Sequence, residues 1–470
     1  MPPARPSVRE RRAAWSRRTP VAATVLAIAV AVTVAITVPL ATSHAASASG
    51  WNVVSAPNTG DGGYDIVLGT ACPDAQDCWS VGFDLLNKNG LVVNPLVEQW
   101  DGQSWSLVST PALPTQGAAL TAVTCVTSSD CWSVGATNPI DMGDVAPLAE
   151  QWDGSTWTVV AAPTPAGAGG GYLRSVSCLS SSDCWAAGYT TDAAGDPLDP
   201  LIEQWDGTAW SVVTAAPTGQ PFTQLNAVTC VSPSDCWTAG TTGPQQPSDS
   251  VFFIFPTVPG DQSVIEHWDG ASWTLVPSYV AASPNGGYVA ALTCVSADDC
   301  WASGSITDDN GLPSSSLMQR WNGSSWSVVS TPPMPGVQGI LSSLTCLSSQ
   351  QCWAVGSTGT PGSGQSYNPV PIVEAWNGSA WSIEPSPNAI GLGLLSSVAC
   401  VRGDACWSVG SAVVSLGANQ AGFNPLVEQM VLPPDGTQGF VAASSDGGVY
   451  SFGAFPFLGS MGGTHLARPV

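Results

Sequence analysis

Cysteine pairs at a regular interval constrain this chain more than any other feature of its sequence. Seven Cys-x5-Cys pairs occur, and the steps between them are 53, 53, 52, 64, 52 and 54 residues. Each second cysteine is followed by tryptophan, and no cysteine is left over. This regularity is typical of a fold that repeats one unit of about 50 residues. The pairs are Cys72 and Cys78, Cys125 and Cys131, Cys178 and Cys184, Cys230 and Cys236, Cys294 and Cys300, Cys346 and Cys352, and Cys400 and Cys406.

Each repeat is predicted to form four short strands, A to D. In the second repeat these are 120–125, 131–135, 147–152 and 157–160. Asp153-Gly154 between strands C and D favours a tight hairpin, because glycine accepts a positive φ. Equivalent Asp-Gly or Asn-Gly pairs occur at 101–102, 206–207, 269–270, 322–323 and 377–378. Seven units of four strands predict a β-propeller.

The two ends of the repeat region support a ring. Residues 51–57 have the pattern of a lone strand D, whereas the seventh repeat has strands A, B and C but no strand D. We expect the N-terminal strand to complete the last blade and close the ring. The predicted fold class is therefore all-β, a seven-bladed β-propeller of four-stranded blades over 51–432, followed by a partial β-repeat tail at 433–470.

The repeated residues have structural interpretations. A disulfide across Cys-x5-Cys closes a small loop and contributes about 2 kcal/mol. A metal site is disfavoured because the pairs lack partner histidines and Cys-x2-Cys spacing. The three tryptophans of each unit are predicted to form the core between blades, with indole N–H groups donating to carbonyls. The glutamate of the recurring Glu-Gln-Trp on strand C is expected to accept backbone or indole donors.

The N-terminal segment, 1–48, has the features of an export signal. Its arginines precede an uncharged run at 21–38, and small residues follow around Ala45 and Ala48. This order is that of a secretory signal peptide. The apolar run is also close to the length of a membrane span, so an uncleaved anchor remains the alternative. Either outcome predicts a secreted or cell-surface location, where disulfides persist.

The repeat resembles those of bacterial secreted β-propellers, distantly kelch-like. The resemblance covers about 51–430 and rests on Cys-x5-Cys-Trp followed by Glu-Gln-Trp-Asp-Gly-x-x-Trp. Gly102-Gln-Ser-Trp105 is similar to the end of the sialidase Asp-box, although Asp101 is adjacent to Gly102 rather than two residues before it. Residues 439–453 resemble one copy of the Gly-Tyr-Trp-Leu-x-Ala-x-Asp-Gly-Gly repeat of bacterial secreted and wall-associated proteins. The resemblance implies an extracellular role, with the Asp-box serving the fold.

The charge distribution excludes one class of partner. Beyond residue 45 the chain has five basic and 33 acidic residues. A surface this acidic repels phosphate backbones, so nucleic-acid binding is not expected. Membrane contact is expected only through the N-terminal segment, if it is uncleaved.

Candidate binding residues lie on one face of the predicted ring. The A–B and C–D turns share one face and are short, whereas the longer B–C and D–A connections share the other. Function is expected on the second face, because loops on a rigid scaffold commonly carry it. Arg174 is a charged exception among small inner-strand residues. The 241–263 loop contains five consecutive large apolar residues at 251–255, and several acids lie in the third-blade loop. The candidates are Arg174, Phe252, Phe253, Phe255, Asp192, Asp196 and Asp199.

A non-catalytic binding or scaffold module for protein or polysaccharide is the predicted function. The alternative is a propeller-type glycoside hydrolase or lyase that uses loop carboxylates. Histidine chemistry is poorly supplied, because only His267 and His465 follow the signal segment. No catalytic residue, metal ligand or cofactor is assigned. Calcium binding by the acidic loops stays open, because carboxylate oxygens suit that ion.

Overall fold

The computed structural model describes most of the repeat region. The described residues are 50–60, 64–86, 92–113, 117–139, 145–193, 195–243, 262–278, 286–308, 313–336, 338–361, 367–387, 392–401, 405–417, 420–431, 439–443 and 449–453. The predicted signal or anchor segment lies outside them.

No helix in the described part of the chain is long and apolar enough to cross a membrane.

Strands form all of the regular structure of the ring. The first strands are β1 (Trp51–Val54), β2 (Tyr64–Asp74), β3 (Asp77–Leu86), β4 (Val92–Trp100), β5 (Trp105–Leu107), β6 (Ala118–Thr127), β7 (Asp130–Thr137), β8 (Ala146–Trp152), β9 (Trp157–Val160), β10 (Gly170–Ser180), β11 (Asp183–Thr191), β12 (Pro197–Trp205) and β13 (Trp210–Val213). The next are β14 (Phe222–Ser232), β15 (Asp235–Gly243), β16 (Gln262–Trp268), β17 (Trp273–Leu275), β18 (Gly287–Ser296), β19 (Asp299–Thr307), β20 (Pro313–Trp321) and β21 (Trp326–Val328). The last are β22 (Gln338–Ser348), β23 (Gln351–Pro361), β24 (Tyr367–Trp376), β25 (Trp381–Glu384), β26 (Gly393–Cys400), β27 (Ala405–Gly417), β28 (Gln420–Val431), β29 (Gly439–Ala443) and β30 (Val449–Gly453).

Seven four-stranded antiparallel blades follow one another in the order A-B-C-D. Blade 1 is β2 to β5, and each later blade takes the next four strands, so that blade 6 ends at β25. Blade 7 contains β26, β27 and β28, and β1 pairs with β28 as its fourth strand, with Trp51 opposite Met430. The predicted propeller, with an N-terminal strand completing the last blade, is confirmed. The tail contains the hairpin β29–β30.

Tryptophan triads fill the seams between blades. Trp79 of blade 1 lies 4.7 Å from Trp152 and 5.2 Å from Trp157 of blade 2, measured between ring centroids. Blade 7 packs against blade 1 in the same way, through Trp407 with Trp100 and Trp105. Tilted and edge-on aromatic pairs of this kind add to the apolar burial. The sequence-based assignment of the tryptophans to the inter-blade core is therefore correct.

The indole N–H groups follow the prediction only in part. The strand C indoles donate to carbonyls, for example Trp152 Nε1 to Ser128 O at 3.2 Å and Trp205 Nε1 to Ser181 O at 3.0 Å. Trp132 and Trp157, on strands B and D, have buried Nε1 atoms without a hydrogen-bond acceptor among the described residues. Their rings are enclosed by other rings and aliphatic side chains, so packing alone holds them.

All seven predicted disulfides are present, each between the cysteines of one pair. Each joins the end of a strand A to the start of the following strand B. The second cysteine, such as Cys131, is fully buried beside the tryptophan triad. The disulfides therefore fix the A–B hairpins against the seams.

Every strand A carries a β-bulge at the same position. In blade 2 the register shifts between Leu120 and Ala122, which leaves Thr121 as the extra residue. The facing strand B residue is Gly135, where a Cβ atom would collide with the carbonyl oxygen of Ala119. Glycine is required there because the two backbones approach too closely for a side chain.

Candidate functional site

The ring has one face of tight turns, here called the turn face. Its C–D hairpins are held by an aspartate or asparagine, as in blade 2, where Asp153 Oδ1 accepts hydrogen bonds from the backbone N–H groups of Ser155 (2.8 Å) and Thr156 (2.9 Å). The hydroxyl of Ser155 donates to the same oxygen at 2.7 Å, and this bond together with the two backbone bonds lowers the pKa of Asp153. The hairpins of the turn face are thus held by their own side chains.

Hydrogen bonds between strands B and C, next to the turn face, explain the positions of Arg320 and His267. Gln99 donates to Asp77 at 3.1 Å across strands C and B of blade 1. In blade 5 the same position is Arg320, which makes two bonds of 2.8 and 2.9 Å to Asp299 and lies 4.8 Å above the Trp301 ring. His267 contacts Asp235 in blade 4 in the same way. Arg320 and His267 therefore belong to a structural series.

The opposite face, here called the loop face, carries the B–C and D–A connections. Strands B and C extend further toward it than the sequence predicted. In blade 7, for example, β27 ends at Gly417 and β28 begins at Gln420, and the two strands pair as far as these residues. The prediction of long loops is wrong there, because the paired strands continue into a projecting hairpin.

Arg174 occupies the bulge position of strand A in blade 3. The inner strands meet there: Thr121, at the same position in blade 2, donates to the carbonyl oxygen of Leu173 at 2.8 Å, and Ser175 Oγ accepts the N–H of Val228 in blade 4 at 3.1 Å. Arg174 is half-buried. The other bulge positions hold uncharged residues, so blade 3 places the one guanidinium at this level of the axis. Those residues are Leu68, Thr121, Asn226, Ala290, Ser342 and Ser396.

Two tyrosines accompany Arg174 on the side toward the loop face. Tyr172 and Tyr189 are opposite each other on β10 and β11, and their rings stack at 5.7 Å with an interplanar angle of 7°. Burial raises the pKa of both phenols, while the positive charge of Arg174 acts in the opposite direction on each. Arg174 and these two tyrosines are here called the blade 3 cluster. Sequence analysis singled out Arg174 but missed the tyrosines, whose positions on facing strands were the available signal.

The three candidate acids of blade 3 do not converge. Asp192 Oδ1 accepts the backbone N–H of Asp196 at 3.0 Å, and the two residues also share a backbone bond of 2.9 Å, so both belong to the B–C turn. Asp199 lies on β12, exposed, with its backbone bonded to the Thr190 hydroxyl. Asp192 and Asp196 shape the hairpin beside the blade 3 cluster.

The apolar candidates Phe252, Phe253 and Phe255 lie outside the described residues.

Blade 1 holds an acidic pair that the sequence analysis did not identify. Asp65 and Asp84 face each other across β2 and β3, and each is only 4% exposed. The Asp65 carboxylate accepts the N–H and the hydroxyl of Thr59, both at 2.9 Å. Asp65 therefore fastens the segment that leads from β1 into blade 1.

No cluster of three or more metal-ligating side chains occurs within the described ranges. Within the described ranges, the carboxylates of Asp192 and Asp65 accept hydrogen bonds from backbone or hydroxyl groups, whereas Asp199 is exposed.

Comparison with known proteins supports the fold. No protein-family model matches the chain, and no curated protein matches it either. Among solved structures, an ulvan lyase of polysaccharide lyase family PL25, bound to GlcA(1-4)Rha3S, has a TM-score of 0.50 and 10% identity, covering 80% of this chain and 95% of the lyase. YCF48 bound to D1 peptide has a TM-score of 0.47 and 12% identity, covering 82% and 97%. At these identities the likeness shows the propeller fold alone.

Proposed function

We propose that the protein is an exported, non-catalytic binding module that recognises a carboxylate-bearing extracellular polymer through its loop face. The observation that carries this proposal is the blade 3 cluster. A guanidinium suits a carboxylate because its planar donors match the two oxygens. Tyr172 on β10 and Tyr189 on β11 lie beside the position of Arg174, each only 8% exposed, and we expect them to hold its surroundings rigid.

The acidic charge of the propeller narrows the class of ligand. Five basic and 33 acidic residues beyond residue 45 repel a densely anionic polymer. Salt screens such repulsion beyond about 8 Å at physiological ionic strength, so one anionic group can still approach Arg174. We therefore expect a ligand with isolated carboxylates, either uronates in a polysaccharide or the C-terminus of a protein.

A binding role is favoured over glycoside hydrolysis by the hydrogen bonds that Asp192, Asp196 and Asp65 already make. A glycosidase requires a pair of carboxyl groups facing the substrate. Asp192 and Asp196 are bonded within their own turn, and Asp65 is bonded to Thr59.

The test is a retention assay with the exported chain, disulfides intact. The probes are hyaluronan, with one carboxylate per disaccharide, neutral dextran, densely sulfated heparin, and a peptide with either a free or an amidated C-terminus. We expect retention on hyaluronan or on the free-acid peptide, and none on dextran or heparin. Retention on hyaluronan would identify a uronate as the source of the carboxylate, and retention on the free-acid peptide would identify a protein C-terminus. We expect the length of every polymer probe to stay unchanged.

Two matched variants locate the site. Arg174→Asn introduces the residue that blade 4 carries at the same position, Asn226, and should abolish retention. Arg320→Gln introduces the residue that blades 1 to 3 carry on strand C and should leave retention unchanged. Retention that survives Arg174→Asn would remove Arg174 from the site, and release of shortened polymer would contradict a non-catalytic role.

A further inference from the structure

Strand C carries a fully buried carboxyl group at the same position in six of the seven blades. Each of these side chains has an exposed fraction of 0%. The seventh, in blade 5, is the amide Gln319, which is equally buried. The acids are Glu98, Glu150, Glu203, Glu266, Glu374 and Glu428.

The surroundings of these carboxyl groups are apolar. Glu150 lies between Leu148 and Trp152 on one face of β8, because alternate residues of a strand share a face. Both neighbours belong to the core cluster between blades 1 and 2, together with Val108 and Leu113 of the segment that connects those blades. Flanking core residues enclose the equivalent glutamates of blades 3 and 6 in the same way.

Three of the six carboxyl groups accept no hydrogen bond from the described residues. Both carboxyl oxygens of Glu150, Glu203 and Glu374 are buried and lack a donor. The expectation that these glutamates accept backbone or indole donors is therefore wrong for three blades. An ionised carboxylate in such a place loses its hydration without compensation, whereas a neutral acid avoids most of that cost.

Each of the other three accepts a hydrogen bond from a described residue, and in two cases the donor belongs to the segment before the blade. Glu266 accepts the N–H of Ala216 at 2.9 Å, and Glu428 accepts the Ser386 hydroxyl at 2.7 Å. Both donors lie in the segment that connects one blade to the next. The carboxyl position therefore secures the blade seams.

Charged groups are scarce around the ring of carboxyls. The connecting segments 105–113, 157–169 and 326–336, which precede Glu150, Glu203 and Glu374 respectively, contain no charged or titratable residue.

On the adjacent strand B these three glutamates are paired with Ser133, Ala186 and Ala354, which are also uncharged. On strand D they are paired with Val159, Val212 and Ile383.

Two blades do place an acid nearby. Asp65 acts on Glu98, and Glu384 lies in the segment before Glu428 and accepts the indole N–H of Trp51 at 2.9 Å. Both neighbours are acids, so neither provides a positive charge to favour ionisation.

Gln319 supplies an internal comparison. An amide has nearly the shape of a protonated carboxyl group and cannot ionise, and it occupies the same buried position between Leu317 and Trp321. The repeat therefore accepts a neutral side chain here without losing its packing.

We propose that five of these glutamates, all except Glu428, are neutral carboxylic acids in the folded protein, and that they make the propeller a pH-sensitive assembly. The free energy of unfolding is highest in mildly acidic surroundings, and the packing between blades weakens as the surroundings become alkaline.

The direction of the pH effect follows from linkage. Burial raises the pKa of Glu98, Glu150 and Glu266 to about 7, and that of Glu203 and Glu374 to about 8, from 4.5. Between 4.5 and these values the folded state holds protons that the unfolded state has released. The contribution of the buried carboxyl groups to the free energy of unfolding is therefore complete below pH 4.5, and it is lost as the pH rises toward 7 and 8.

The test compares the wild-type chain with the triple variant Glu150→Gln, Glu203→Gln, Glu374→Gln, by thermal unfolding from about pH 5 to about pH 9. The wild-type Tm should fall by several degrees across this range. The triple variant should lose a large part of that dependence and exceed the wild type at the alkaline end.

The matched control is Asp153→Asn with Asp206→Asn, the residue that two other hairpins carry as Asn322 and Asn377. Asp153 and Asp206 are exposed and their pKa values lie below 3.8, so the slope above pH 5 should match the wild type.

A second measurement does not depend on the folding of any variant. Infrared spectra of the wild-type protein near pH 6 should show the carbonyl band of protonated carboxylic acids, and the band should disappear at alkaline pH. A Tm that is constant or rises with pH, or the absence of that band, would overturn the proposal.

Discussion

At the scale of single residues, the inner strands depend on one glycine in each strand B. The bulge in strand A moves a carbonyl oxygen against this position, and every blade repeats the arrangement. The glycines are Gly82, Gly135, Gly188, Gly240, Gly304, Gly356 and Gly410.

Gly135→Ala should therefore destabilise the protein although the substitution is small. The new Cβ atom would meet the Ala119 carbonyl oxygen, which is backbone and cannot rotate away. We expect a loss of about 1–3 kcal/mol in the free energy of unfolding, measured by denaturant titration.

Gly219→Asn is the control for this prediction. Gly219 has a φ of 71° and no neighbour near its absent Cβ, and asparagine tolerates this backbone conformation. Its free energy of unfolding should stay close to the wild-type value. If Gly135→Ala were equally harmless, the close approach of strands A and B would not limit stability.

Residue roles were predictable from the sequence where a residue type alone determined them. The cysteine pairs and the hairpin aspartates are of this kind, because their bonding partners lie a few residues away. The state of Glu150 was not predictable, because it depends on residues from the preceding blade, such as Val108 and Leu113, that exclude water and supply no donor. The partners of Arg174 were likewise hidden, since Tyr189 is adjacent only through strand pairing.

At the scale of structural elements, β1 is the strand on which the seventh blade depends. It is four residues long, yet Trp51 is fully buried and completes the core between blades 6 and 7 with Trp353 and Met430. The ring is thus held by contact between the beginning and the end of the repeat region.

Trp51→Ala should cost about 3–5 kcal/mol, because it removes a fully buried aromatic side chain and leaves a cavity. Asn52→Ala, on the exposed side of the same strand, should change stability little. Thermal unfolding followed by tryptophan fluorescence measures both. A mild effect of Trp51→Ala would mean that blade 7 holds together without its fourth strand.

The pairing of β1 was predictable because the seventh repeat lacked a strand D and an additional strand D preceded the first repeat. The bulges in strand A were not predicted. The recurrent glycine of strand B was the available signal, but a glycine in a strand also occurs without a bulge opposite it.

At the scale of the whole molecule, the repeat makes the seven blades alike. We therefore expect the binding residues at positions where one blade differs from the others. Arg174 is such a place on the inner strands: cations are scarce in the propeller, and the other six blades have uncharged residues at this position. Composition indicated this scarcity of cations, whereas the grouping of Arg174 with Tyr172 and Tyr189 required the fold.

Hydrogen exchange of the full exported chain tests the central claim most directly, with and without whichever carboxylate-bearing probe is retained best. The account predicts slower exchange on binding in peptides covering 170–174 and 187–193, which contain the blade 3 cluster. Peptides of the turn face, such as 126–131 and 153–156, should be unchanged. Protection confined to the turn face, with none at 170–174, would contradict recognition through the loop face.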